Sequence, residues 1–198
     1  MCIASNIMLL LLFSACCAYA YSNGAQLAAC NTLTPLHENS TSQISRVPFT
    51  IDLDQFEVNG IYQYTPSKEY TLTISGPEDD YFKGFFVQSR LMSDDTTRVG
   101  VFAATDPNSR LSSCPKETDG VTHREEMEFK SMEMGWTAPP AGTGPIRFAF
   151  AIVHEFDEFW ADQRTEMLEE GPATSKASGV TVSVLVLLLL AVLASLQF

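Results

Sequence analysis

The sequence predicts an all-β, antiparallel sandwich. Three observations lead there. Apolar residues recur with a period of two in several separate stretches, turn-forming clusters divide those stretches, and no ten-residue helical pattern lies between them. PFTIDLD puts Phe49, Ile51 and Leu53 on one face. EYTLTISG does the same with Tyr70, Leu72 and Ile74. IRFAFAIVHEF aligns Ile146, Phe148, Phe150 and Ile152 against Arg147, Ala149 and Ala151. RVGVFAA and EFKSMEMGWTAP are weaker strands of the same kind. TPSK, SGPEDD, TDPNS and APPAGTGP supply the turns. A short helix is expected in FDEFWADQRTEMLEE.

YFKGFFVQSR, residues 81–90, departs from simple alternation. Phe85 and Val87 share one face, while Phe86 and Gln88 share the other. Apolar residues on both faces predict a strand covered on both sides. Gly84 permits a bulge or a close backbone approach. The competing reading is an exposed aromatic platform.

Both ends of the chain carry targeting signals. Ile7–Phe13 is a short apolar core followed by Ala18-Tyr19-Ala20, so residues 1–20 read as a secretory signal peptide. Residues 180–198 carry no charge and are long enough to cross a bilayer. Small residues precede them after an acidic stretch, which makes 166–179 a linker with a candidate glycolipid attachment site. Ser175 with Ala177 is the first attachment pair, and Ala173 with Ser175 the second; a transmembrane helix is the alternative. In either case the body faces outward, at the extracellular side of the plasma membrane or free in secretions.

Roughly 155 residues remain between these signals, enough for one domain with a sizeable core. The chain has 24 acidic and 12 basic residues, a formal net charge of −12. That argues against nucleic acid or bare anionic lipid as partner. Of five cysteines, Cys2, Cys16 and Cys17 leave with the signal, and Cys30 and Cys114 remain to form one disulfide. In the chain-entropy picture such a loop contributes roughly 4.5 kcal/mol as an upper figure. Asn39-Ser40-Thr41 is a glycosylation sequon in a polar loop.

In order, YSNGA at 21–25, Cys30, TPLH at 34–37, PFTI at 48–51, YTLTISG at 70–76 and FKGFFVQSR at 82–90 resemble the reeler domain family. So do VGVF at 99–102, Cys114, THR at 122–124, Lys130, WTAP at 136–139 and the run from IRFAFAIV to FW at 146–160. The resemblance covers nearly all of 21–165. In architecture the chain is similar to small stand-alone invertebrate defence proteins. The resemblance implies an immunoglobulin-like antiparallel β-sandwich, a Cys30–Cys114 pair and a framework role for the FKGF segment. The family's extra cysteines have no counterpart. Leu36 stands where glycine is common, and Arg124 where serine is common.

Chemistry-bearing patterns are few. His37 and His123 fall in family motifs, and a shared metal site is the sharper reading. Rings bonded to strand ends or turns are the plainer and preferred one, because no further ligand sits at metal spacing. His154 reads as a rim residue. Neither GxSxG nor HExxH occurs. Glu78-Asp79-Asp80 and Asp94-Asp95 read as solvated turns rather than calcium ligands, and Trp136 and Trp160 as core. No enzyme activity, metal or cofactor is expected. The haem of ferric-reductase-like relatives belongs to a separate membrane domain. The functional expectation is an extracellular recognition module in innate defence, binding a microbial surface glycan. A host cell-surface or matrix ligand makes it an adhesion protein instead, and an accessory to metal or redox transport is the third reading. The sequence names no ligand-binding residue.

Overall fold

The structure, a computed structural model, describes residues 23–37, 39–112 and 114–173. The expected signal peptide 1–20, the expected attachment residue Ser175 and the tail 180–198 lie outside the described residues. Among the described residues, twelve strands form three sheets. β1 (Thr50–Ile51), β4 (Glu69–Ser75), β6 (Val101–Ala103) and β9 (Ser131–Thr137) make a four-stranded antiparallel sheet in the order β1-β4-β9-β6. β5 (Gly84–Leu91), β7 (Ser109–Ser112), β8 (Gly120–His123), β10 (Ile146–Glu155) and β11 (Glu158–Arg164) make a five-stranded one in the order β11-β10-β5-β8-β7. β2 (Glu57–Val58), β3 (Ile61–Tyr64) and β12 (Glu169–Glu170) form a small third sheet, in which β12 runs parallel to β3.

The first two sheets face one another, and the residues predicted from the alternation fill the space between. Tyr70, Leu72 and Ile74 are buried from β4, and Ile146, Phe148, Phe150 and Ile152 from β10. Trp136 meets Phe148 edge to face at 4.9 Å between centroids, and its indole N–H donates to Ser89 Oγ at 3.0 Å. That geometry adds roughly 0.5–1.5 kcal/mol to the area buried. Trp160 is also core, with its N–H on Ser45 Oγ at 3.1 Å.

β5 answers the question posed by YFKGFFVQSR. It is the central strand of its sheet, and seven of its eight residues are buried. Pairing with β10 sets Phe85 opposite Ile152, Val87 opposite Phe150 and Ser89 opposite Phe148, all toward the inter-sheet core. Phe86 opposite Ala151, Gln88 opposite Ala149 and Arg90 opposite Arg147 point to the outer face. Residues 23–37 lie over that outer face, where Ala29 and Leu33 pack on Phe86, Ala149 and Ala151. The strand is covered on both sides.

Two expectations are corrected. FDEFWADQRTEMLEE is not helical: it folds into β11 and β12. A hairpin turn returns the chain along β10, and burial of Phe159 and Trp160 holds the extended form against the helix-forming Glu and Gln residues around them. The region assigned as linker from 166 is structured in its first part, because Leu168 is fully buried and Gly171 N–H donates to Tyr64 O at 2.8 Å.

The outer side of β11 is also occupied. Gln43 N–H donates to Phe159 O at 2.8 Å, and Ala161 N–H donates to Ser42 Oγ at 2.9 Å.

Candidate functional site

The N-terminal segment 23–37 is fastened over the outer face by side chains from three strands and the loop after β5, and by a disulfide. Cys30 and Cys114 are bonded, with their Cα atoms 5.5 Å apart. Arg90, 2 % exposed, donates to Cys30 O at 2.9 Å and Asn31 O at 3.1 Å. Arg98 donates to Asn31 Oδ1 at 2.6 Å. Thr122 Oγ1 accepts from Ala25 N–H at 2.9 Å and donates to Phe85 O at 2.6 Å, and Arg110 Nε donates to Asn23 O at 2.7 Å. At the far end, the Nδ1–H of His37 donates to Phe156 O at 2.6 Å, and the His37 ring stacks on Phe156 at 4.6 Å.

Glycine is required at two points of this contact. Gly24 has φ +96°, and a Cβ there would lie 2.4 Å from His123 O. A Cβ on Gly84 would lie 2.9 Å from the His123 ring.

Between the segment and the sheet a cavity of about 100 Å³ remains. Its walls are mainly apolar and small: Ala25, Ala29, Ala151 and Val153, with Phe85 and Phe86 behind them. Leu36 and Phe156, each 47 % exposed, stand at its mouth. On the rim, Lys83 Nζ lies 2.8 Å from Glu155, which also accepts from Tyr81 OH at 2.7 Å. The Glu155 hydrogen bond raises the Lys83 ammonium above its ordinary value, and that of Lys83 lowers the Glu155 carboxyl.

The two motif histidines line this one cavity, and both make backbone bonds. His123 Nδ1 lies 3.2 Å from Phe85 N and 3.3 Å from Phe85 O, within hydrogen-bond reach of both. Burial pushes the His123 pKa down, so the ring is neutral at physiological pH. The plainer reading of these residues therefore describes their observed contacts. Among the described residues, no three His, Cys, Asp or Glu side chains come together to hold a metal ion.

Other residues singled out in the sequence lie apart from the cavity floor. Asn39 is exposed, in a turn with φ +61°, just beyond His37. His154 contacts Asp80 at 3.3 Å and Glu158 at 2.9 Å on the rim side of β10. Asp94 fastens its own turn through Thr96 and Thr97. Asp95 is not a solvated turn residue: it takes bonds from Arg90 at 3.2 Å, Arg147 at 2.9 Å and Arg164 at 2.7 Å. Burial opposes its ionisation, but the hydrogen bonds and charges of Arg164 and Arg147 outweigh that and lower the carboxyl to about 2. The sequence reading gave Asp95 the wrong surroundings and missed Tyr81 and Glu155; the partners of all three are distant in the chain. It also missed Gln26, whose neighbourhood carries no spacing signal.

The reeler domain profile matches residues 28–176. The chain is 30% identical over 168 residues to defense protein l(2)34Fc of Drosophila melanogaster, covering 81% of this chain and 97% of that one. It is 27% identical over 124 residues to human Spondin-1, covering 60% of this chain and 15% of that protein. A Danio rerio protein named for ferric-chelate reductase 1 is 26% identical over 164 residues, and this chain spans 27% of its length. The crystal structure of the human F-spondin reeler domain superposes with a TM-score of 0.56 at 21% identity, covering 67% of this chain and 95% of that one.

Proposed function

Because this chain belongs to the reeler domain family, we propose that it is a non-enzymatic extracellular recognition module acting in innate defence. The module is held at the cell surface by its C-terminal end and contacts microbial surfaces through the cavity under the N-terminal segment. The cavity is the observation that carries this reading. It joins an apolar floor to an exposed Phe156–Leu36 mouth and a hydrogen-bonding rim, the composition of a small-ligand site. Likeness to a Drosophila protein named for defence favours that biology. The disulfide suits an oxidising compartment. Exposure of Asn39 leaves its sequon open to a glycan.

The test is an array of microbial cells and surface glycans probed with the secreted chain. Retention that is lost in Phe156→Ala supports the reading, and a blank array refutes it. Attachment through Ser175 is tested on intact cells with phosphatidylinositol-specific phospholipase C. Release is expected, whereas recovery of a peptide containing Gln197-Phe198 from the membrane form assigns a retained spanning tail. The second reading, adhesion to a host or matrix ligand, is favoured by the likeness to Spondin-1. Binding to host matrix and not to microbes would select it.

A further inference from the structure

We propose that the cavity binds the acetamido group of an N-acetylated amino sugar, with the sugar ring lying at the mouth against Phe156. This rests on the recognition reading above and gives its ligand a chemical class.

Size sets the first limit. A cavity of about 150 Å³ accepts benzene, so one of about 100 Å³ takes a group smaller than that. The acyl chain of a lipid does not fit, nor does a whole pyranose ring, but a planar acetamido group does.

Hydrogen bonding sets the second limit. Gln26 lines the cavity, and its Nε2 amide is buried with no hydrogen-bond partner in the protein. A buried donor without an acceptor favours a ligand that brings one. His37 supplies the complement. Its Nδ1 proton goes to Phe156 O, so in the neutral ring Nε2 is an acceptor. An acetamido group offers one carbonyl oxygen for the Gln26 amide and one N–H for His37, and its methyl group meets Ala29, Ala151 and Val153.

Charge sets the third. The rim ammonium of Lys83 is already paired with Glu155, and an anionic ligand group entering an apolar floor would lose its hydration without a free cation to replace it. A neutral group is selected over an anion, in keeping with a chain whose net charge is −12. At the mouth, the Phe156 ring is backed by His37 and half exposed, an apolar platform for the C–H face of a sugar.

The test uses the full mature chain with two neutral probes, triacetylchitotriose and cellotriose, which differ in the acetamido group. Calorimetry measures affinity, and saturation-transfer NMR locates the contact. Expected results are binding of triacetylchitotriose at least about tenfold tighter than cellotriose, with the acetyl methyl protons most strongly saturated. Gln26→Leu should weaken that binding about tenfold, the size of one hydrogen bond, with an unchanged melting temperature. Phe156→Ala gives an independent variant at the mouth and should weaken binding by a similar factor. Equal affinity for the two probes, no binding of triacetylchitotriose, or saturation confined to ring protons overturns the proposal. Microbial retention without triacetylchitotriose binding sinks the sugar assignment and leaves recognition standing. Triacetylchitotriose binding without microbial retention supports the site and sinks the surface role.

Discussion

The two faces of the five-stranded sheet are built on different physics. The inner face is apolar and interlocked, with Phe148, Phe150 and Ile152 against Trp136 and the four-stranded sheet. Its stability comes from area removed from water, which is non-directional and spread over many contacts. The outer face carries Gln88, Arg90, Arg147 and Arg164, and what covers it is a segment with little strand structure. That cover is held by directional bonds and one covalent link. A close-packed interior leaves few voids, whereas a strap fixed at discrete points can bridge one. The cavity sits on the strapped side for that reason.

The comparison breaks most visibly on the inner face. Phe148→Ala should destabilise the fold by about 3–5 kcal/mol, because the ring is fully buried against Trp136 and Phe56 and would leave a void. Chemical denaturation measures it, and the loss should be global.

Next is the strap. Replacing both cysteines, Cys30→Ser with Cys114→Ser, should cost about 2–4 kcal/mol. Its signature differs from that of Phe148→Ala. Amide exchange should speed up first over 23–37 while β4, β9 and β10 remain protected, because the inner core does not depend on the link. Uniform loss of protection would mean the two faces are one cooperative unit.

Asp95 sharpens the contrast further, since it anchors three arginines of the outer face. Its carboxyl is lowered in the fold from 3.8 to about 2. Its stabilisation is therefore complete above about pH 4 and is lost as pH falls through about 2. Asp95→Asn should lower the melting temperature at pH 5 and above, and the gap to the parent should close toward pH 2. A gap independent of pH would assign Asp95 a packing role alone.

The smallest effect on stability belongs to Phe156→Ala. The side chain is half exposed at the cavity mouth, so the change should stay within about 0.5 kcal/mol. Ligand binding should fall all the same.

The inner face was legible in the sequence because its signal is local. A period of two in EYTLTISG and IRFAFAIV identifies the buried side of β4 and β10 without knowledge of their partners. The double covering of β5 was legible too, from Phe85 and Phe86 in succession. The helix expected after β10 failed because propensity is local, while β11 is decided by pairing with β10 and by burial of Phe159 and Trp160. Little of the cavity was legible beyond the grouping of His37 and His123 in family motifs. It is a space between segments far apart in the chain, and no local pattern encodes an absence of atoms. The Asp95 cluster was hidden for the same reason, as Arg147 and Arg164 lie 52 and 69 residues away.

The backbone bonds along the outer side of β11 bear on what happens when many copies are held side by side. An uncovered β-edge is a template on which a neighbour's strand can add, and crowding on a surface raises the encounter rate. Here Ser42 and Gln43 already hold Ala161 N–H and Phe159 O. A second chain must first peel that stretch away, so strand addition at this edge starts uphill. A molecule displayed densely keeps its sheets to itself at β11, and its neighbours meet there through side chains alone.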